Sequence, residues 1–327
     1  MNKERIVEQF RSVETSDLFA RADQVRKQYC GEAVHLRGII EFSNYCGQNC
    51  LYCGLRQGNE KVARYRMTFD EIVLNARRAV ELGIPTIVLQ SGEDLFYHVD
   101  DFCRMIHEIK KFNIAITLSI GERPKEDYRK LKEAGADRYL LRFETSDEKL
   151  YARLRPGHLF SERLQCLHWL KELGYQVGSG IMVGLPGQTP ESIADDILLF
   201  RSLELDMIGI GPFLPHPNTP LAGDKDVKIE TVLKVIALTR IITCDAHIPA
   251  TTAVGTLDAQ GRQKALACGA NIIMPNITPM QYRKFYEIYP DKICLSEDAS
   301  TCRKCVEKMI LAAGRKIGIG FGHTLKK

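Results

Sequence analysis

Helix endings that run straight into strands constrain this chain most. The phrases ELGIPT (81–86), EAGADR (133–138), ELGYQV (172–177) and ACGANI (267–272) each close a helical pattern on glycine and pass at once into an apolar run. Glycine is the residue that ends a helix in the left-handed conformation without steric cost. Eight runs rich in Ile, Val, Leu and Thr, bounded by Gly, Pro or Asn, read as strands: 34–42, 86–92, 114–121, 138–144, 176–184, 207–213, 250–257 and 271–278. The segments between them carry helix signals. Thr68 with Glu71 is a capping box, Ser161 opens a second pattern that stops at Gly174, and Thr189 caps a helix with Pro190 in its first position. Eight strands alternating with helices predict an α/β fold, a (β/α)8 TIM-type barrel. A doubly wound open sheet is the alternative, but no GxGxxG follows the first strand, and GSGIMVG (178–184) is not that fingerprint. Residues 1–33 read as an N-terminal helical segment, and 34–327 as the barrel with its C-terminal region.

At 327 residues the chain buries a core without disulfides. No apolar run approaches a membrane span, and the charged N-terminus lacks the apolar stretch of an export signal. We therefore expect a cytoplasmic protein with no membrane association. The net charge of +4 is small and spread along the chain, which argues against a nucleic-acid footprint. The basic C-terminal end, Lys326 and Lys327, reads as a solvated tail.

Eleven cysteines in such a chain point to ligands or catalysts rather than disulfides. Five of them (Cys30, Cys103, Cys166, Cys244, Cys268) are scattered and read as small buried hydrophobes. The other six form two groups. Cys46, Cys50 and Cys53 follow the first strand directly, where a barrel enzyme carries its chemistry. A structural zinc site wants four ligands, and no fourth stands nearby. A thioredoxin-like pair needs only Cys50 and Cys53, leaving Cys46 without a role. Three thiolates holding a 4Fe–4S cube leave one iron open, and a small molecule bearing an amine and a carboxylate can chelate it.

The spacing CxxxCxxC, with Tyr52 before the last cysteine, resembles the signature of the radical SAM superfamily. Within it the chain resembles the HydE branch, maturases of FeFe-hydrogenase, through IIEFSNYCGQNCLYCGLR (39–56), MVGLPGQT (182–189), GIGPFLPHPNTPLA (209–222), IPATTAVGT (248–256) and GANIIMPN (269–276). The likeness runs from about Val34 to Cys305. Biotin synthase and methylornithine synthase share the barrel and the loop and remain the close alternatives, with a noncatalytic metal-binding scaffold as the reading from another class.

The resemblance implies a 4Fe–4S cluster on Cys46, Cys50 and Cys53, and S-adenosylmethionine reductively cleaved to a 5′-deoxyadenosyl radical. It implies that Tyr52, Gln90, Ser91, Glu93, Arg142, Glu144, Arg163, Met182 and Leu185 surround the cofactor. Ser91 replaces a glycine of the family's turn, and Arg163 meets the methionyl carboxylate. Arg142 and Glu144 share one strand face, and charged groups inside an apolar strand are costly unless paired or liganding. Thr117, Met207, Thr251, Thr252, Met274 and Tyr286 are assigned to a cavity for a small iron-bearing substrate. Cys294, Cys302 and Cys305 resemble an accessory site for a second 2Fe–2S or 4Fe–4S cluster, with zinc as the rival. The implied partners are an electron donor such as a ferredoxin or flavodoxin and other hydrogenase maturation proteins. The proline-rich loop Pro212–Pro220 reads as a stiff wall, and His216 in it as a turn histidine satisfied by backbone.

Overall fold

A computed structural model describes residues 1–326. Nine strands succeed one another: β1 Ala33–Leu36, β2 Gly38–Ser43, β3 Thr86–Ser91, β4 Ala115–Ser119, β5 Arg138–Leu140, β6 Gln176–Val183, β7 Met207–Pro212, β8 Ile272–Ile273 and β9 Lys316–Ile317. Strands β2 to β7 lie side by side in sequence order, every pair parallel. A helix or helix pair separates each strand of that set from the next, as parallel neighbours require. Beyond β7 the connection passes through isolated parallel bridges, Met207 to His247, Pro249 to Ile272 and Asn276 to Ile39. The fold is the expected TIM-type barrel, regular over six strands and joined by the two-residue β1–β8 pairing and single bridges on its remaining side.

Two predicted strands are resolved differently. The run 34–42 breaks at Arg37: β1 pairs with β8 and β9, while β2 pairs with β3. The run 250–257 is extended only at its start. Thr251 caps a helix, Thr252–Leu257, its hydroxyl accepting from the Val254 amide. Threonine favours strands and caps alike, and here the cap wins.

The capping box at Thr68 and Glu71 is present, and Thr189 caps Pro190–Ser202. The helix expected from Ser161 starts earlier, at Phe160. Its cap is Leu159, whose backbone N–H donates to Glu162 (3.3 Å), so Ser161 lies in the first turn.

The basic tail is not a simple solvated end. Residues 318–324 cross the N-terminal ends of the strands and form a floor. Arg138 donates to the carbonyls of Phe321 (2.8 Å) and Gly322 (3.1 Å), and Arg37 to Gly322 (3.2 Å). Gly318 and Gly322 lie so close on His35 that a Cβ at either would collide with its ring. Thr324 donates to Asp206 (2.5 Å), and half-buried Lys326 to the Leu205 carbonyl (2.8 Å). Two buried arginines thus find their acceptors in the tail. Lys327 lies outside the described residues.

Candidate active site

The loop after β2 turns out over the C-terminal mouth of the barrel. Buried Asn44 fixes the turn: its amide donates to the carbonyls of Ala63 (2.8 Å) and Phe285 (2.7 Å), and its oxygen accepts from the Tyr65 amide (2.7 Å). The Arg64 guanidinium donates to the carbonyls of Asn44, Leu55 and Arg56 (2.5, 2.9 and 2.8 Å). Together they tie residues 44 to 65 into one rigid loop. Gly92 packs against it so closely that a Cβ there would meet the Tyr45 carbonyl and the Cys46 Cβ.

Cys46, Cys50 and Cys53 sit on this loop as free thiols, Cys50 buried and the others half-buried. Burial pushes all three thiols up from their ordinary pKa, and at Cys53 the neighbouring Cys50 and Cys46 add to it. Clustered buried thiols therefore stay protonated until a cationic group takes their charge. Among the described residues, only Cys294, Glu297 and Cys302 gather three ligand atoms within 4.8 Å. The sulfurs of Cys46, Cys50 and Cys53 do not all lie within that distance of one another. A thiolate set of this kind suits an iron–sulfur cube, which needs one sulfur at each of three corners.

The thiols open on a cavity of about 340 Å3 that descends into the barrel. Tyr52, Gln90, Ser91, Glu93, Arg142, Glu144, Arg163 and Met182 line it, as do Thr251, Thr252 and Met274. Leu185 is buried just behind the wall in an apolar cluster with Leu150, Leu154 and Phe213, against which Tyr52 and Met182 pack. Tyr286 is also behind the wall, its hydroxyl accepting from Gln90 Nε2 (3.1 Å). Thr117 lies buried in mid-strand on β4, its hydroxyl without a partner. Met207 begins β7, at the floor end, where its sulfur accepts from Arg37 (2.7 Å). The structure therefore brings the cofactor candidates other than Leu185, and three substrate candidates, to one cavity, and places Leu185, Thr117, Met207 and Tyr286 deeper or behind it.

Electrostatics at the mouth centre on Glu93. Its carboxylate accepts from Gln48 Nε2 (2.9 Å), Arg155 Nη2 (3.2 Å) and Arg163 Nη2 (3.1 Å). Burial pushes the Glu93 carboxyl up, but Arg163 and Arg155 outweigh it and leave the pKa below the usual range. Arg163 also pairs with Glu122 through Nε (2.6 Å). Across the cavity, Arg142 donates to Glu144 (2.8 Å) and to the Ile181 carbonyl (2.6 Å). Glu144 holds a left-handed φ of 66°, and the turn after it is braced from a neighbouring helix. Fully buried Asp196 accepts from both the Ser146 amide and its hydroxyl, each at 2.6 Å, while its other oxygen has no partner.

Several cavity residues escape the sequence reading. Arg155 follows a short helix in RLRPG, where nothing in the pattern marks it as buried. Glu41 and Lys292 form a buried ion pair in the wall, and Lys292 also donates to the Tyr286 carbonyl (3.2 Å). Glu41 does carry a signal, a charge inside the apolar run 34–42. His216 accepts from the Asn218 amide (3.1 Å), a histidine held by its own turn.

At the second cysteine group, Cys294 and Cys302 come together with Glu297, while Cys305 is exposed and outside that trio. The proximity of the Cys294 and Cys302 sulfurs, within 4.8 Å, makes the first proton easier to lose, at Cys294, and the second harder, at Cys302. Of the five scattered cysteines, Cys166 and Cys268 are buried and the other three half-buried.

Comparison with known proteins gives the family. Residues 40–200 match the model of the radical SAM superfamily. Over 305 residues the chain is 55% identical to the FeFe hydrogenase maturase subunit HydE of Thermotoga maritima, covering 93% of this chain and 88% of that one. The chain is a radical SAM enzyme of the HydE family. It is also 33% identical to the 3-methylornithine synthase of Methanosarcina acetivorans, over 80% of this chain and 74% of that one. The crystal structure of methylornithine synthase PylB superposes with a TM-score of 0.82 at 27% identity, covering 97% of both chains. That of HydG, another FeFe-hydrogenase maturase, gives 0.79 at 20% identity over 96% of this chain and 71% of that one, a likeness of fold. This HydE-family chain has no helix among the described residues long and apolar enough to cross a membrane.

Proposed function

We propose that this chain acts on a small iron-bearing precursor during assembly of the FeFe-hydrogenase diiron subsite, working in the cytoplasm with other maturation proteins. The observation that carries the reading is the single cavity that joins three free thiols at the mouth to opposed charged pairs within. Cys46, Cys50 and Cys53, which line the cavity, would hold the 4Fe–4S cluster. When bound, the cluster supplies one electron to the sulfonium of S-adenosylmethionine, which cleaves to methionine and the 5′-deoxyadenosyl radical.

The protein's own part is binding and orientation. Glu93 with Arg155 and Arg163 would take the ammonium and carboxylate of the methionyl end, a bidentate task that suits arginine. Tyr52, Met182 and the wall backed by Leu185 would flank the adenine, with Gln90 and Ser91 at the turn beside it. Arg142 and Glu144 would meet the ribose side. Thr251, Thr252 and Met274, with Thr117, Met207 and Tyr286 deeper, would shape the substrate end. Cys294, Cys302 and Cys305 would carry a second cluster, with Glu297 placed to complete the set. We also read residues 1–33 as a helical segment appended to the barrel of 34–327.

A second reading, synthesis of another small metabolite, is favoured by the full-length likeness to methylornithine synthase. One experiment tests both. Anaerobically reconstituted protein, dithionite, S-adenosylmethionine and a candidate iron-bearing precursor are expected to yield 5′-deoxyadenosine, and the product mixture, with the other maturation proteins added, to activate apo-hydrogenase in a maturation assay. Cys46→Ala, Cys50→Ala and Cys53→Ala are each expected to abolish deoxyadenosine. Retained production in those variants overturns the ligand assignment, and deoxyadenosine without hydrogenase activation favours the metabolite synthase.

A further inference from the structure

We propose that Asp196 is a positioning residue for the cofactor: from the helix Pro190–Ser202 it locks the turn that carries Glu144 on the cavity wall. The inference rests on the reading above, in which Glu144 meets the ribose side, and its test separates the two.

Glu144 needs holding. Its φ of 66° is left-handed, a conformation that a residue with a Cβ keeps only where its neighbours over-determine it. On one side those neighbours are strand backbone: the Glu144 amide donates to the Gly180 carbonyl (3.0 Å), and the Met182 amide donates to the Glu144 carbonyl (3.2 Å). On the other side the chain leaves the sheet at once and turns into the helix Glu148–Leu154. Within that turn the bonds are local. The Asp147 amide donates to Thr145 Oγ1 (3.2 Å), and the Asp147 carboxylate caps the helix by accepting from the Leu150 amide (2.9 Å). Such bonds shape the turn but do not fix it against the barrel.

Asp196 supplies that attachment. It sits 50 residues along the chain, and its Oδ1 takes both the Ser146 amide and the Ser146 hydroxyl, each at 2.6 Å. Its surroundings say why it is an acid. Ile193, Ala194, Ile197 and Phe200 of the same helix are buried in the core, and Asp196 is buried with them. A carboxyl there is costly, and its other oxygen has no partner among the described residues. Packing alone is served better by an apolar side chain, so the Ser146 pair is what the carboxyl secures.

The helix is itself tied to the wall. Gln188, next to the cap Thr189, accepts from the Gly184 amide (2.8 Å) and donates to the Met182 carbonyl (3.0 Å). Met182 and Glu144 line the same cavity. Asp196 thus joins two parts of one site, the strand end with Met182 and the turn with Glu144. Asp196 does not line the cavity, so its influence passes through Glu144. A small displacement of a binding group is costly out of proportion to its size, and loosening Ser146 is felt at the Glu144 carboxylate.

The test measures equilibrium binding of S-adenosylhomocysteine, by calorimetry, to the full chain with its cluster reconstituted, so no turnover is needed. Asp196→Ala is expected to raise Kd about tenfold. Asp196→Asn keeps an oxygen for both Ser146 donors and is expected to bind within about twofold of wild type. Ser146→Ala loses the hydroxyl bond but keeps the amide bond; a rise of about threefold is expected, and it carries the test if Asp196→Ala does not fold. Because the effect passes through Glu144, either alanine variant is expected to add little in a Glu144→Ala background. The proposal is overturned if the Asp196 and Ser146 variants bind like wild type, or if their losses add in full to that of Glu144→Ala. If Glu144→Ala itself binds as tightly as wild type, the assignment of Glu144 to the cofactor fails instead.

Discussion

Replacing Asp196 by asparagine is expected to remove a pH dependence that the fold imposes on itself. Asp196 is fully buried behind the turn that carries Glu144, and burial pushes its carboxyl from 3.8 up to about 7. The two Ser146 donors work the other way without offsetting it. A carboxyl raised on folding keeps its proton in the native state while the unfolded chain gives it up. Stability is therefore present at low pH and is lost as the pH rises from 3.8 toward 7, after which the loss levels off. A tenfold change in proton affinity is worth about 1.4 kcal/mol, so the full loss is about 4 kcal/mol. Asparagine keeps the shape and an acceptor for Ser146 but does not titrate. Chemical denaturation of the two proteins across pH reads the difference directly. The advantage of Asp196→Asn is expected to grow by about 2.5 kcal/mol between pH 5 and pH 8 and to flatten above neutrality. A difference that stays constant over that range refutes the reasoning.

Glu93→Gln leaves Arg155 and Arg163 buried with less counter-charge, so thermal unfolding is expected to show destabilisation of roughly 3 kcal/mol, the lower end for breaking a buried pair, because Glu122 still holds Arg163. Gly92→Ala drives a Cβ into the Tyr45 carbonyl and is expected to lower the iron retained after anaerobic reconstitution, with helical content by circular dichroism unchanged. Cys302→Ser is expected to reduce bound metal at the second group while deoxyadenosine formation persists; loss of that activity with the first cluster intact contradicts the assignment.

Much of the architecture is legible in the residues because its signals are local. A glycine that ends a helix and a strand that begins three residues later are read from a few neighbours, as at Gly83 and Gly135. The thiol loop is legible for the same reason, its three cysteines falling within eight residues. What escapes is long-range. Arg155 faces Glu93 from 62 residues away, and Lys292 meets Glu41 from 251. The strand mistaken at 250–257 failed because Thr251 and Thr252 satisfy two local rules at once, and only the Val254 amide decides between them. The tail misled because lysine suggests solvent, whereas its neighbours Phe321 and Gly322 supply carbonyls to arginines on distant strands.

The floor formed by residues 318–324 turns the barrel from a tube into a cup. Traffic through a cup is ordered by depth. On the proposed function, whatever reacts lowest would be loaded before the nucleotide settled above it, and its product would leave only after the nucleotide's fragments had cleared the rim.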